Sequence, residues 1–152
     1  MSQSSLLEFA DKMSEVMPGV IQGFARRQAN ELYKGKITLP QFLILDFLNR
    51  QGESRMTDIA HFMHVTTAAM TGIVERLVNA GYAARVYNPE DRRIIKIKLT
   101  ARGSELVRRV NEQRRKMIIN IFGSIREDDR RDYLRILVRI KEILTRDNPA
   151  VK

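Results

Sequence analysis

The sequence contains no cysteine among its 152 residues, which excludes disulfide bonds, thiolate zinc sites and thiol-based redox sensing. It has no apolar run of about 18 residues, so no segment predicts a transmembrane helix. The N-terminal stretch carries two acids, Glu8 and Asp11, and lacks the basic region that opens a secretion signal. These absences favour a cytoplasmic protein with no membrane partner.

Catalytic motifs are missing as well. The sequence has no nucleophile motif, no glycine-rich phosphate loop and no convincing acid–base pair, so we expect neither an enzyme nor a cofactor. The two histidines, His61 and His64, lie three residues apart, a spacing that can begin a metal site. A metal site needs further ligands, and the chain offers no cysteine and no third histidine. We therefore predict a structural or surface role for this pair and no bound metal.

Positive charge is abundant and is concentrated in one segment. The net charge is +9 and the pI is about 10.2. Residues 1–84 hold eight basic and eight acidic side chains, whereas residues 85–116 hold eleven basic side chains against four acidic ones. Such a concentration indicates a polyanionic partner. The alternative is a charged surface that only keeps the protein soluble.

The first helix is predicted from a capping box followed by an apolar pattern of helical period. Ser5-x-x-Glu8 is the capping box, and the apolar positions behind it recur every three or four residues. We expect this helix to bend near Pro18-Gly19 and to end near residues 34–36.

A second capping box, Thr38-x-x-Gln41, begins the next helix, with Pro40 in its first turn. This helix is apolar on nearly every side, and Gly52 ends it. We expect it to be the most buried helix of the protein.

Two short helices with a tight connection follow, which is typical of a helix-turn-helix. Thr57 is predicted to cap the first helix, and residues 64–65 form the connection. Thr66 is predicted to cap the second helix, which runs to Ala80 and is terminated by Gly81.

The second helix of this pair is predicted to have an inward and an outward face. The inward face consists of four apolar residues: Ala69, Ile73, Leu77 and Ala80. The outward face near the N-terminus lies where a recognition helix meets base edges, and it consists of Thr66, Thr67, Ala68 and Thr71. Threonine can hydrogen-bond bases or phosphates, and its methyl group can contact thymine. Further along, Arg76 is a candidate to reach a phosphate or an acidic side chain of the next element.

A β-hairpin is predicted at residues 82–87 and 94–99. In its second strand the apolar residues alternate with Lys96 and Lys98, which gives one apolar and one basic face. The loop begins at Asn88-Pro89 and carries four charged residues at its tip. A helix-turn-helix followed by a hairpin is a winged helix. The predicted fold class is therefore mainly α, with a small β-hairpin wing.

Two further helices are predicted after the hairpin. Thr100 caps a long helix that ends at Phe122-Gly123, and a last helix follows the acidic residues 127–129. A winged helix needs neither these helices nor the first one, so their apolar stripes require a partner surface. A second copy of the chain is the economical partner, which predicts a homodimer. The alternative is a monomer whose terminal helices pack only on each other.

These elements predict a single domain over residues 1–152. We assign residues 37–100 to a winged-helix DNA-binding part. We assign residues 1–36 and 101–152 to dimerisation helices.

The wing carries the most specific sequence pattern of the chain. Asp91-x-Arg93 is followed, after five residues, by Leu99-Thr100, and it is preceded by "VERLVNAGYAARVYNPEDRR". In this order and spacing the chain resembles the multiple-antibiotic-resistance regulator (MarR) family of winged-helix transcription factors over nearly its whole length. The resemblance implies a homodimeric regulator that binds pseudo-palindromic double-stranded DNA, with repression as the expected outcome. It also implies that a small aromatic or lipophilic ligand weakens DNA binding.

The same resemblance implies roles for the wing residues. Arg93 is expected to enter the minor groove, where a guanidinium group meets enhanced negative potential. Asp91 is expected to orient Arg93 through a carboxylate–guanidinium pair. Arg92 has no firm role in the family pattern, and we expect it to touch only phosphate. Two alternatives stay open at this point. One is a non-specific nucleic-acid or architectural binder, and the other is a winged-helix protein-interaction module that does not read bases.

Overall fold

The computed structural model of the protein describes residues 3–27 and 37–146. The elements are α1 (Gln3–Arg27), α2 (Leu39–Gln51), β1 (Ser54–Arg55), α3 (Met56–Phe62), α4 (Thr67–Asn79), β2 (Ala83–Tyr87), β3 (Ile95–Leu99), α5 (Ala101–Phe122) and α6 (Glu127–Arg146). The predicted fold class, mainly α with a hairpin wing, is confirmed. None of the helices in the described ranges is long and apolar enough to cross a membrane.

Helix α2 forms the centre of the core, as the sequence predicts. The Thr38 hydroxyl accepts a hydrogen bond from the Gln41 N–H at 3.4 Å, and the Gln41 side chain accepts one from the Thr38 N–H at 2.9 Å. Gly52 ends the helix with a φ of 79°, which a residue with a side chain adopts only with strain. Five side chains of α2 are buried: Phe42, Ile44, Leu45, Asp46 and Leu48.

A buried polar contact ties α2 to α5. One oxygen of the Asp46 carboxylate lies 2.6 Å from the Arg50 guanidinium, and the other accepts a hydrogen bond from the Asn111 side chain at 3.3 Å. Because a buried carboxylate is stable only when it is paired, this contact favours a single alignment of the two helices.

The sheet has three strands rather than the predicted two. The strand order is β1-β3-β2, and both pairings are antiparallel. The hairpin keeps its predicted position, with Ala83 opposite Leu99 and Tyr87 opposite Ile95. The additional strand β1 consists of two residues, and it gains its strand conformation by pairing with β3.

Two predicted helix caps are wrong. Helix α3 begins at Met56, because the Asp58 carboxylate accepts the Arg55 N–H at 3.1 Å and places the cap two residues before Thr57. Ser5 lies inside α1, which includes Gln3, so its backbone is helical and cannot form the predicted capping box with Glu8. A cap residue needs extended backbone.

Helix α1 continues through Pro18. The predicted end of the first helix at residues 34–36 lies outside the described residues.

The helix-turn-helix is confirmed, but the buried face of α4 only partly matches the predicted one, since Leu77 is buried as predicted and Ile73 is partly buried. The connection turns at His64, whose φ is 53°. The buried residues of α4 are Met70, Val74 and Leu77, whereas Ala69 and Ala80 are exposed. The two candidate stripes lie side by side on the helix. The one with the larger side chains faces the core because it removes more apolar surface from water.

A close backbone contact joins α4, the wing and α5. Gly81, with a φ of 77°, ends the α4 turn, and its carbonyl accepts the Thr100 hydroxyl at 2.6 Å. The same hydroxyl oxygen accepts the Gly103 N–H at 3.1 Å and so caps α5 as predicted. A Cβ atom at Gly103 would lie 2.0 Å from the Tyr82 carbonyl oxygen, so only glycine fits there. We call the contact among Gly81, Tyr82, Thr100 and Gly103 the junction.

Helices α5 and α6 differ in how much of their apolar surface they bury within one chain. In α5 the predicted stripe residues Leu106, Val110 and Met117 are buried, and Ile121 is partly buried. Helix α6 begins at its acidic cluster as predicted, but no side chain of α6 is buried. The apolar stripe of α6 is therefore open to solvent in the single chain.

Gly103→Ala is expected to lower the free energy of unfolding by about 3 kcal/mol, because the new methyl group overlaps the Tyr82 carbonyl and forces the junction apart. Gly72→Ala is the matched control, since a Cβ at Gly72 meets no atom within 4 Å. This control should raise stability by about 0.5–1 kcal/mol through helix propensity. Urea unfolding of the three proteins checks both values, and equal midpoints for wild type and Gly103→Ala would contradict the described junction.

Candidate nucleic-acid interface

The N-terminal part of α4 presents small side chains to solvent. The Thr66 hydroxyl accepts the Ala69 N–H at 3.2 Å and caps the helix as predicted. Thr67, Ala68 and Thr71 are all exposed on the side of the molecule away from the core. The structure thus brings these four sequence-predicted residues together on one accessible surface, which we call the α4 face.

The hydroxyl group of Thr71 is engaged within its own helix. It donates a hydrogen bond to the Thr67 carbonyl at 2.9 Å. Gly72 follows it, and no other part of the described chain lies within 4 Å of a Cβ built there. Internal packing therefore does not explain the glycine, and the helix surface stays flat at this point.

Arg76 lies along α4 rather than towards the wing. Its Nε donates to the Gly72 carbonyl at 3.2 Å, and no ion pair of the described residues joins it to Asp91. The suggestion that Arg76 reaches the acid of the wing is therefore wrong for this structure. Its terminal guanidinium nitrogens are still available to a phosphate.

An ion pair between the recognition helix and the wing was not predicted. Glu75 of α4 pairs with Arg85 of β2, and both side chains are partly exposed. Arg85 stands opposite Ile97 in the hairpin, so the pair fixes the base of the wing to the middle of α4. The two residues are ten positions apart, and only the turn at Gly81 brings them together. A local sequence pattern therefore gave no signal for this contact.

The tip of the wing is shaped by two side chains that bond the backbone. Asn88 accepts the Glu90 N–H at 3.0 Å, and Asp91 accepts the Arg93 N–H at 2.9 Å. Both are Asx turns, which set a tight loop. The predicted carboxylate–guanidinium pair between Asp91 and Arg93 is absent from the ion pairs of the described residues, so that expectation is wrong. Asp91 orients Arg93 through the backbone instead, because its carboxylate accepts the Arg93 N–H.

Arg92 and Arg93 are both exposed at this tip, and no carboxylate within the described ranges pairs with either of them. Arg108 on α5 differs in this respect. Arg108 lies between Glu105 and Glu112, at 2.7 Å and 2.5 Å. Its hydrogen bond lowers the pKa of the Glu105 carboxyl and raises the pKa of the Arg108 guanidinium. The positive charge of the wing tip is thus free for a partner, whereas Arg108 is already compensated.

The histidine pair shows no further ligands. The His61 and His64 rings are 6.5 Å apart between centroids. In the part of the chain that the structure describes, no group of three or more histidine, aspartate or glutamate side chains is placed to hold a metal ion.

Comparison with known proteins shows a likeness to one family. The MarR family model matches residues 37–95, from two residues before α2 to the first residue of β3. Over these residues the chain is similar to the MarR family. The match includes the α4 face and the wing tip, the two surfaces described above.

Relatives in sequence are transcriptional regulators. The chain is 29% identical over 97 residues to the uncharacterized HTH-type transcriptional regulator YpoP of Bacillus subtilis, covering 64% of this chain and 69% of that protein. It is 25% identical over 113 residues to the HTH-type transcriptional repressor MdtR of the same organism, covering 74% and 73%. The protein is thus a DNA-binding transcriptional regulator of the helix-turn-helix type.

Solved structures show the same fold. A MarR family protein from Bacillus stearothermophilus superposes with a TM-score of 0.77 at 21% identity, covering 95% of this chain and 99% of that one. Bordetella bronchiseptica BpsR superposes with a TM-score of 0.66 at 22% identity, covering 88% and 95%. The BpsR structure is described as showing a mechanism for regulation of DNA binding by 6-hydroxynicotinic acid. At these identities the likeness concerns the fold alone.

Proposed function

We propose that this regulator is a homodimeric, sequence-specific repressor whose DNA binding a small aromatic or lipophilic ligand weakens. The observation that carries the proposal is the combination of two exposed, unpaired arginines at the wing tip with a flat α4 face that an ion pair joins to the wing. The relative MdtR is a transcriptional repressor. The two alternatives, a non-specific binder and a protein-interaction module, lack a comparable supporting observation.

The homodimer is supported by apolar surface that one chain leaves exposed. On α6 the side chains of Leu134, Leu137, Ile140, Ile143 and Leu144 are exposed by 40–66%. On α1 the side chains of Leu6, Leu7, Phe9 and Ile21 are exposed by 56–65%. Monomeric soluble proteins rarely expose contiguous apolar patches of such extent. We therefore assign residues 1–36 and 101–152 to dimerisation, and residues 37–100 to DNA binding.

On DNA, α4 is proposed to enter the major groove, with Thr66, Thr67, Ala68 and Thr71 at the bases. Arg93 is proposed to enter the adjacent minor groove, where a narrow A·T-rich sequence attracts a guanidinium group. Arg76 and Arg92 are proposed to contact phosphates. A two-fold symmetric dimer then requires a pseudo-palindrome with half-site centres about 10 base pairs apart.

The ligand is proposed to bind beside the dimerisation helices. A groove of about 1270 Å³ lies between α1, α5 and α6, and its walls include Val20, Phe24, Met117 and Tyr133, with Lys116 and Arg130 at the polar side. This volume exceeds that of a typical small-molecule site, so it has room for a ligand beside a partner helix. A ligand that favours a dimer with wrongly spaced recognition helices weakens DNA binding. The described regulation of BpsR is the precedent.

Phenolic acids titrated against the operator-bound protein test this part of the proposal. We expect operator affinity to fall as the ligand concentration rises, because the ligand stabilises the dimer geometry that does not bind DNA. Unchanged operator affinity across a panel of such acids would count against ligand control while leaving DNA binding intact.

The dimer is tested by light scattering at micromolar concentration. Wild type is expected at twice the chain mass of 17.6 kDa. Replacing Leu137 and Ile140 together by Asp should give a monomer and weaken operator binding, because two charges enter the apolar stripe of α6. Arg139→Asp is the control on the same helix but off the stripe, and it should stay dimeric. A wild-type mass near 17.6 kDa contradicts the proposal.

Arg93→Ala is expected to weaken binding to every operator and to make the dependence of log affinity on log salt shallower by about 0.9 per lost contact. The reason is that the minor groove carries charge but little sequence information. Arg139→Ala removes the same charge from α6 and should leave the slope unchanged. The measurement is operator affinity between low and physiological salt. An unaltered affinity for Arg93→Ala would mean that the wing tip does not touch DNA.

A further inference from the structure

The first two turns of α4 lack the side chains that usually distinguish bases by hydrogen bonding. Residues 66–74 read "TTAAMTGIV" and contain no arginine, lysine, histidine, asparagine, glutamine, aspartate or glutamate. Guanine is commonly read by bidentate Arg or Lys, and adenine by bidentate Asn or Gln. Neither readout is possible at this end of the helix. Only hydroxyl and methyl groups are available to base edges.

Two of the three threonine hydroxyl groups already take part in hydrogen bonds of the helix. The Thr66 hydroxyl oxygen accepts the Ala69 N–H at 3.2 Å, and the Thr71 hydroxyl donates its hydrogen to the Thr67 carbonyl at 2.9 Å. The bond at Thr71 also fixes the rotamer of that side chain. Thr71 can therefore offer a partner its methyl group and the lone pairs of its hydroxyl oxygen, but no hydrogen. Exposed Ala68 offers a second methyl group one turn earlier.

The helix surface beside these methyl groups permits close approach. Gly72 has no side chain, and a Cβ there would meet nothing within 4 Å. Arg76, the first long basic side chain of α4, lies one turn later and has its Nε bonded to the Gly72 carbonyl. No long side chain therefore holds the methyl groups of Ala68 and Thr71 away from the floor of the major groove.

We propose that the α4 face reads thymine through its C5-methyl group, with the methyl groups of Ala68 and Thr71 making the apolar contacts. The preferred DNA is thus an operator whose half-site centres are specified by thymines rather than by guanines. The inference rests on the proposed function, because it requires α4 to lie in the major groove of a specific operator. Apolar contact with the thymine methyl is an established means of base discrimination.

The test uses an operator selected from random duplexes and variants in which single thymines are replaced by deoxyuridine, which lacks only the methyl group. At one or two positions in each half-site, the replacement should weaken binding by about three- to tenfold, the scale of one or two buried methyl groups. Deoxyuridine outside the half-site centres is the matched control and should have no effect.

The Thr71→Ser variant tests whether the deoxyuridine effect arises from the methyl group of Thr71. This variant keeps the hydroxyl and its bond to Thr67 but lacks the methyl group, so it should bind the thymine and the deoxyuridine operators equally at the position it contacts. Ala68→Gly should do the same at a neighbouring position. Thermal unfolding of both variants checks that they are folded, and binding of the deoxyuridine operator provides the reference affinity.

The results of these experiments distinguish a failure of the methyl readout from a failure of the proposed function. If the protein prefers its operator over random duplex but no deoxyuridine replacement matters, the methyl readout is wrong and the repressor proposal stands. If the deoxyuridine effect persists in both variants, the assignment to Ala68 and Thr71 is wrong. If no duplex is preferred over random DNA, the proposed function itself fails.

Discussion

The contact between the Gly103 backbone and the Tyr82 carbonyl connects the two halves of this protein. Tyr82 follows the end of α4 and leads into the wing, while Gly103 lies in the first turn of α5. Because no side chain separates the two backbones, a shift of α5 cannot be absorbed locally and must displace the wing and the recognition helix. In the proposed mechanism of ligand control, the junction is the physical route from a ligand between the dimerisation helices to the DNA-binding elements.

One ion pair and one Asx turn of the winged helix complement this junction. Glu75 and Arg85 join α4 to the base of the wing, while the Asx turn at Asp91 shapes its tip. The distance between the α4 face and Arg93 is thus set from both ends of the hairpin. A protein that holds α4 and Arg93 at a fixed separation suits a duplex whose major and minor grooves alternate at a fixed interval. In the proposed complex, the flat α4 face supplies sequence information and the exposed arginines supply sequence-independent attraction.

Local signals in the sequence predicted most of the fold, and tertiary contacts account for what they missed. The caps at Thr66 and Thr100 were predictable because each bond spans only three residues. The buried face of α4 was only partly predicted because two apolar stripes lie side by side, and only packing selects Met70 over Ala69. Strand β1 could not be predicted, since its conformation depends on pairing with β3. For the same reason the partner of Glu75 was not predicted, because that contact requires the turn between α4 and β2. The DNA-binding roles of the site residues stay predictions.

Tethered cleavage is the most direct test of whether α4 and the wing of each protomer occupy adjacent grooves on a two-fold operator. The chain has no cysteine, so Glu90→Cys at the exposed wing tip provides a single thiol for attaching a DNA-cleaving iron chelate. The account predicts two clusters of minor-groove cuts, placed symmetrically on either side of the operator centre. A single asymmetric cluster, or cleavage no greater than that on random duplex while the operator stays bound, would contradict it.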